Sequence, residues 1–188
     1  MVSHASLCDA VNAMRAGGII AYPTESCFGL GCDPENNIAV RRLLNLKKRK
    51  RDKGLILVAS NVEQLESWVD IRASEQYENI ISGWPGPYTW VVPAVISLDR
   101  WLVGGHSGIA VRVTAHPVAA RLCSLFGGPI VSTSANIQGR PAFKSAQQVS
   151  KCFGGRLQSL VHGKIGNLVN ATEIRDGSSG ILLRGTSK

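Results

Sequence analysis

At 188 residues and 44% hydrophobic, the chain is long enough to bury one sizeable core and short for two. Its 21 Lys and Arg outnumber 13 Asp and Glu to give a net charge of +8, so the surface should attract phosphate, whether in nucleotides or in RNA. Five cysteines in no C-x-x-C pair exclude a disulfide framework or a zinc site, and no stretch approaches the roughly 20 apolar residues of a membrane span.

In chain order, Leu7, Ala10, Val11 and Met14 recur at helical spacing before Gly17 and Gly18, which predicts a first helix over Leu7 to Arg15 and not a signal peptide. Gly18 to Tyr22 reads as a buried strand ended by Pro23, and Thr24 to Asp33 as a Gly-rich loop. Asn37 is expected to cap a helix carrying Val40, Leu43 and Leu44 on one face, followed by a strand over Gly54 to Ala59. Asn61 to Val69 has a capping residue and a Leu65/Val69 pair at helical spacing. Trp84-Pro-Gly-Pro87 forms a rigid turn into a strand over Tyr88 to Val92.

Ile109, Val111 and Val113 alternate with Ala110 and Arg112, so Arg112 points away from the apolar face. A helix over Val118 to Phe126 and a strand over Pro129 to Val131 follow, the latter opening into Ser132-Thr-Ser-Ala-Asn136. A helix near Ser145 to Phe153, a weak strand near Leu157 to His162 and a last strand over Ile181 to Leu183 complete the chain. Helices and strands interleave throughout, with no repeat or linker, so one α/β domain over 1–188 with a twisted, open, mixed sheet is expected. A reduced, cytoplasmic setting is the simplest reading of the cysteines and of the missing membrane span.

Several familiar devices are missing. Gly163-Lys164 is followed by Ile165, so it is no phosphate loop, and Gly29-Leu-Gly31 lacks the third glycine of a dinucleotide fingerprint. H-E-x-x-H and G-x-S-x-G are absent, and His4, His106, His116 and His162 show no metal spacing, so no protein-held metal is expected. The densest charge lies between Arg41 and Lys53, with Asp52 its one acid. A solvated helix end explains such a run; so does a triphosphate grip, with Lys47 as a point charge and Arg49 as a planar fork. Ser132 and Ser134, at the end of a strand, are positioned as donors to phosphate, although a plain turn also explains them. Arg112, a cation within a strand, needs a partner or a ligand and is a candidate anchor for a substrate carboxylate.

Taken in order, Tyr22-Pro-Thr-Glu25 with Phe28-Gly-Leu-Gly31, Leu46-Lys-x-Arg49 with Lys53-Gly-Leu-Ile-Leu57, Trp84-Pro-Gly-Pro87, Ala110-Val-Arg-Val113 and Ser132-Thr-Ser-Ala-Asn136 resemble the YrdC family, in its short bacterial TsaC-type form. The likeness runs from the first helix to Thr172-Glu-Ile-Arg-Asp176 and Leu183-Arg184. It implies an α/β fold with a positively charged concave site, and an enzyme that condenses L-threonine, bicarbonate and ATP into threonylcarbamoyl-AMP and pyrophosphate. ATP is then a substrate, bound with Mg²⁺. A separate threonylcarbamoyl transferase complex would carry the group to the adenosine next to the anticodon of tRNA, with direct tRNA contact open and no membrane partner.

By the same resemblance, Lys47, Arg49, Ser134, Asn136 and Arg184 form the ATP site, with Lys47 and Arg49 catalytic. Thr24, Lys53, Arg112, Ser132 and Thr172 form the threonine site. The sequence departs from the family where Lys50 and Arg51 stand in place of a common Pro and Ser26 in place of a second Thr. The alternatives are a non-catalytic, basic RNA-binding protein and a carbamoyl-transfer module with another substrate.

Overall fold

The computed structural model describes residues 2–95, 97–106 and 108–185. Its elements are α1 (His4–Arg15), β1 (Ile20–Pro23), β2 (Phe28–Cys32), α2 (Asn37–Lys47), β3 (Ile56–Ala59), α3 (Tyr77–Ser82), β4 (Tyr88–Pro93), α4 (Arg100–Val103), β5 (Gly108–Val113), α5 (Pro117–Phe126), β6 (Ile130–Ser134), α6 (Ala146–Phe153), β7 (Ser159–Leu160), β8 (Glu173–Asp176) and β9 (Leu182–Arg184). The strands form one open, mixed sheet in the order β7-β1-β2-β6-β3-β5-β4-β8-β9. β3 and β5 run parallel in its middle, while β6 and β4 flank them antiparallel.

Strand alternation divides the apolar residues between the two sides of the sheet. Ala21, Leu57, Val111 and Val131 belong to the larger core, with α2 contributing Val40, Leu43 and Leu44 and α6 contributing Val149 and Phe153. Ile20, Tyr22, Val58 and Ile130 belong to the smaller core, under the packed pair α1 and α5. That pair covers only part of its face. The remainder of the same face, over β5, β4 and β8, is left open as a cavity.

The sequence places most elements, and the differences have identifiable causes, several of them contacts between distant segments. Thr24 to Asp33 is not all loop, since β2 occupies its second half. Phe28, Leu30 and Cys32 enter the larger core while the glycines between them face the other way. A Cβ on Gly31 would lie 2.9 Å from Tyr22 Cε1, and one on Gly29 would lie 3.1 Å from Thr24 Cγ2. These glycines make room for crossing side chains instead of marking a turn.

Asn36, not Asn37, caps α2, its Oδ1 accepting from Ile38 N at 3.1 Å and Ala39 N at 3.0 Å. Asn61 to Val69 yields only a short 3₁₀ turn at Glu63–Leu65. Gln64 there turns its side chain to Ser60 N and to Cys123 O, and Val69 is drawn into a bridge with Ala94. The strand expected over Pro129 to Val131 continues through Ser134, since β6 pairs with β2 as far as Gly29↔Ser134. The Leu157 to His162 and Ile181 to Leu183 strands are present in part, as β7 and β9. α3, α4 and β8 carry no clear signal in the sequence. All five cysteines are free. Among the described residues, no helix is long and apolar enough to cross a membrane.

Candidate active site

The open part of the sheet face forms a cavity of about 490 Å³, within the range that holds nucleotide-sized ligands. Its floor is the alternate face of the central strands. Gly108, Ala110 and Arg112 point into it from β5, Ser132 and Ser134 from β6, Val91 from β4 and Ile56 from β3. Arg112 thus lies opposite the face carrying Ile109, Val111 and Val113, as the alternation requires. Thr24, Arg49, Lys53, Thr172 and Arg184 close the sides. Among the described residues, the lining includes four cations, Arg49, Lys53, Arg112 and Arg184, and no Asp or Glu.

Each cation is held differently. Arg112 is 5% exposed; its Nη1 donates to Thr172 Oγ1 at 2.7 Å and to Thr89 Oγ1 at 3.4 Å, and its Nη2 lies 3.4 Å from Glu25 Oε2. Arg49 donates from Nε and Nη2 to Gly54 O, at 3.2 and 2.9 Å, which clamps the start of β3 to the end of α2. Lys53 is exposed on the cavity side. Arg184 reaches Thr172 O at 3.5 Å from an exposed position at the rim. Loss of water around Arg184, followed by the charges of Arg49 and Arg112, pulls its pKa below the usual arginine range. Such convergence of like charges is unfavourable without an anion and is relieved by one.

The hydroxyls are arranged beside these cations. Thr24 Oγ1 donates to Cys27 O at 2.7 Å and so keeps its lone pairs for a donor in the cavity. Ser134 Oγ donates to Asn136 Oδ1 at 2.9 Å, and Asn136 Nδ2 donates to Arg140 O at 2.6 Å. Ser132 is buried at 4% exposure, with its hydroxyl in the wall.

Lys47 and Asn136 are the exceptions among the candidate residues, because neither lines the cavity. Lys47 ends α2 at 2% exposure, and its ammonium donates to Ser134 O, to Asn136 O at 3.1 Å and to Asn136 Oδ1 at 2.8 Å. In this arrangement, Lys47 supports the Ser134–Asn136 segment from behind and does not line the cavity. The reason is tertiary: Gln138 N bonds back to Lys47 O at 3.1 Å, so the whole segment folds over the helix end. Burial, and then the nearby Arg49 charge, lowers the Lys47 ammonium to about 7.

Sequence reasoning missed Glu25, Cys27 and His106. Cys27 and His106 line the cavity, and Glu25 is buried behind Arg112. Glu25 stood in a quoted motif as a carboxylate directly after Thr24; that a buried arginine would need it was the available signal.

A family model named Sua5/YciO/YrdC, with the description "Telomere recombination", matches residues 12–185. The chain belongs to this family. Within it, a Xanthomonas campestris pv. campestris (strain B100) protein named threonylcarbamoyl-AMP synthase is 46% identical over 177 residues, covering 93% of this chain and 95% of that one. Its namesake from Xanthomonas oryzae pv. oryzae (strain PXO99A) is 45% identical over 181 residues, covering 95% and 97%. Among solved structures, P. abyssi Sua5 complexed with L-threonine superposes with a TM-score of 0.84 at 33% identity, covering 90% of this chain and 50% of that one. The chain therefore spans about half of that Sua5. E. coli YciO superposes with a TM-score of 0.83 at 22% identity, covering 95% and 87%, and so shares the fold. In this Sua5/YciO/YrdC member, the cavity over β5 and β6 is the place where strand ends, cations and hydroxyls converge.

Among the described residues, no three His, Cys, Asp or Glu cluster to hold a metal. Glu25, a carboxylate beside the cavity, is engaged with Arg112 and Thr114.

Proposed function

We propose that this Sua5/YciO/YrdC chain is a threonylcarbamoyl-AMP synthase, which condenses L-threonine, bicarbonate and ATP and releases pyrophosphate. The observation that carries this reading is the cavity itself: four cations and several hydroxyls with no acid among the described wall residues, in a chain 46% identical to a synthase of that name. Two anionic substrates must meet there, and their mutual repulsion has to be offset by fixed positive charge.

In this reading, Arg112 holds the threonine carboxylate, with Thr24, Ser132, Thr172 and Lys53 around the amino acid. Arg49, Ser134 and Arg184 meet ATP, with Lys47 and Asn136 fixing the Ser134 segment. Mg²⁺ would enter with ATP as the Mg·ATP substrate. The threonine amine condenses with bicarbonate to a carbamate, the N–C bond forming as a bicarbonate hydroxyl leaves, with an amine proton, as water. A carbamate oxygen then attacks the α-phosphorus, and the bond to the β-phosphate oxygen breaks to release pyrophosphate. No covalent nucleophile of the chain is required; the residues orient the two substrates and neutralise charge on the phosphate oxygens.

The product would pass to a separate threonylcarbamoyl transferase complex acting on the tRNA adenosine next to the anticodon, in a cytoplasmic setting, with 1–188 acting as one domain. The RNA-binding alternative is weaker, because the basic run is not a continuous exposed stripe. Lys47 is buried, Arg49 is bonded to Gly54, and Arg41 lies over the Trp101 ring at 5.8 Å.

The test is pyrophosphate release from Mg·ATP, with threonine and bicarbonate each present or omitted. Release that requires both is expected. Release independent of threonine, or none under any combination from folded protein, would overturn the reading.

A further inference from the structure

Glu25 is a buried group with no assigned task. It is 7% exposed, in the turn after β1, and its two oxygens have different partners. Oε1 accepts the Thr114 hydroxyl at 2.5 Å, while Oε2 lies 3.4 Å from Arg112 Nη2 and accepts no hydrogen bond. Thr114 is itself fixed, because its Oγ1 also accepts from His116 N at 3.1 Å. From the other side the 164–168 segment covers Glu25. Leu168 N donates to Glu25 O at 3.2 Å, and a Cβ on Gly166 would fall 2.6 Å from that same carbonyl oxygen, so this strap lies directly on the Glu25 main chain.

A buried carboxylate without a charge partner is strongly disfavoured, and so is a buried guanidinium. Each supplies what the other lacks. Arg112 has Thr172 and Thr89 on its Nη1 side and Glu25 on its Nη2 side, so the plane of the guanidinium is set from both ends. Thr172 and Thr89 can supply lone pairs but no charge. Without Glu25, Arg112 would rest among cavity cations with only the neutral Thr172 and Thr89 hydroxyls, both on its Nη1 side, to oppose a swing toward the rim. The long 3.4 Å separation leaves the Glu25–Arg112 pair short of a tight ion pair, so the guanidinium is oriented without being fully neutralised and remains able to bind a second carboxylate.

From this geometry we infer that Glu25 is the positioning residue for Arg112: it fixes the guanidinium so that the carboxylate of an α-amino acid docks in one orientation, and thereby sets amino-acid affinity without touching ATP. The inference rests on the proposed threonine-binding role of Arg112. It separates Glu25 from a general base, since Glu25 does not line the cavity and its Oε1 is already occupied.

The experiment combines Glu25→Gln, Arg112→Ala and the double variant, with threonine KM and ATP KM measured for each and thermal unfolding as the control for folding. Glu25→Gln should raise the threonine KM by about tenfold and move the ATP KM by less than about twofold, the usual scale for weakening one buried charged contact. The double variant should be no worse than Arg112→Ala alone, because Glu25 acts only through that arginine. Multiplying effects, or equal changes in both KM values, would overturn the inference.

A second readout does not depend on turnover. NMR of the Arg112 side chain should show distinct Nη1 and Nη2 signals in the wild type, held apart by restricted rotation, that average in Glu25→Gln. Persistence of the split in Glu25→Gln would refute the positioning role even if catalysis fell. If the wild type released no threonine-dependent pyrophosphate, the functional reading would fail on its own, and the NMR arm would still decide whether Glu25 orients Arg112. Should Glu25→Gln not fold, Thr114→Val removes the Oε1 donor and leaves both charges, and a smaller shift in the same direction is expected.

Discussion

Lys47 offers the sharpest test of how the site is built, because stability and function should respond in opposite directions. Lys47→Met keeps the stem and removes the ammonium. Two terms decide the effect on stability. Lowering the ammonium from its ordinary 10.5 to about 7 means that the buried charge is held about 5 kcal/mol less favourably than in water. Against this, the variant leaves Asn136 O without its lysine donor, while Ser134 O keeps Asn136 N at 3.0 Å and Asn136 Oδ1 keeps Ser134 Oγ at 2.9 Å. That loss is about 1–3 kcal/mol. The balance favours methionine by about 2–4 kcal/mol, or a melting temperature raised by about 4–16 °C for a chain of this size at pH 7. Turnover should fall by about 10–100-fold, the scale for removing a group that holds a substrate-contacting residue from behind. Thermal unfolding and pyrophosphate release on the same preparation measure both. A melting temperature lowered by 10 °C would refute the charge-burial argument, and near-normal turnover would refute the supporting role in catalysis.

The same lowered ammonium fixes a pH dependence. Between about 7, where Lys47 titrates in the folded chain, and 10.5, where it titrates unfolded, the unfolded chain binds more protons, so the penalty present below 7 is relieved as pH rises. Wild type should therefore gain on Lys47→Met by about 1.4 kcal/mol per pH unit from pH 7 to 9 in denaturant unfolding; parallel curves would reject the assignment. At the two ends of the cavity, Arg112→Lys keeps a charge but cannot bond Thr172 and face Glu25 together, and should raise the threonine KM by about tenfold. Arg49→Ala should instead raise the ATP KM by a similar factor. Competition kinetics with each substrate varied separately would expose the error if the two patterns coincided.

How far the sequence could be read depended on whether a residue's environment was local. The alternation in β5 places Arg112 opposite the apolar face, because strand period alone decides it. β2 was hidden because glycine reads as loop, and its reason for being glycine lies in Tyr22 and Thr24, side chains of the neighbouring strand and turn. β8, with Glu173, Arg175 and Asp176 around a single Ile174, has no apolar pattern; its pairing with Tyr88–Val91 makes it a strand. Lys47 stood in a run of exposed cations, and its burial follows from contact with Asn136, 89 positions away. Glu25 and Arg112 are likewise a tertiary pair, one in a turn and the other in a strand.

The deeper limit is that core and site share a face. On β3, Val58 packs under α5 in the smaller core, while Ile56, two residues earlier and on the same side of the strand, lines the cavity. On β6, Ile130 is core and Ser132 and Ser134 are cavity wall, again on one side. The period of two that sorts strand residues into faces assigns both members of each pair identically. What separates them is the reach of α1 and α5 across the sheet: where these helices stop, the same face becomes a binding surface. The change from Ile130 to Ser132 and Ser134 along β6 records that edge in side-chain polarity, which is why the serines stood out in the sequence while Ile56 did not.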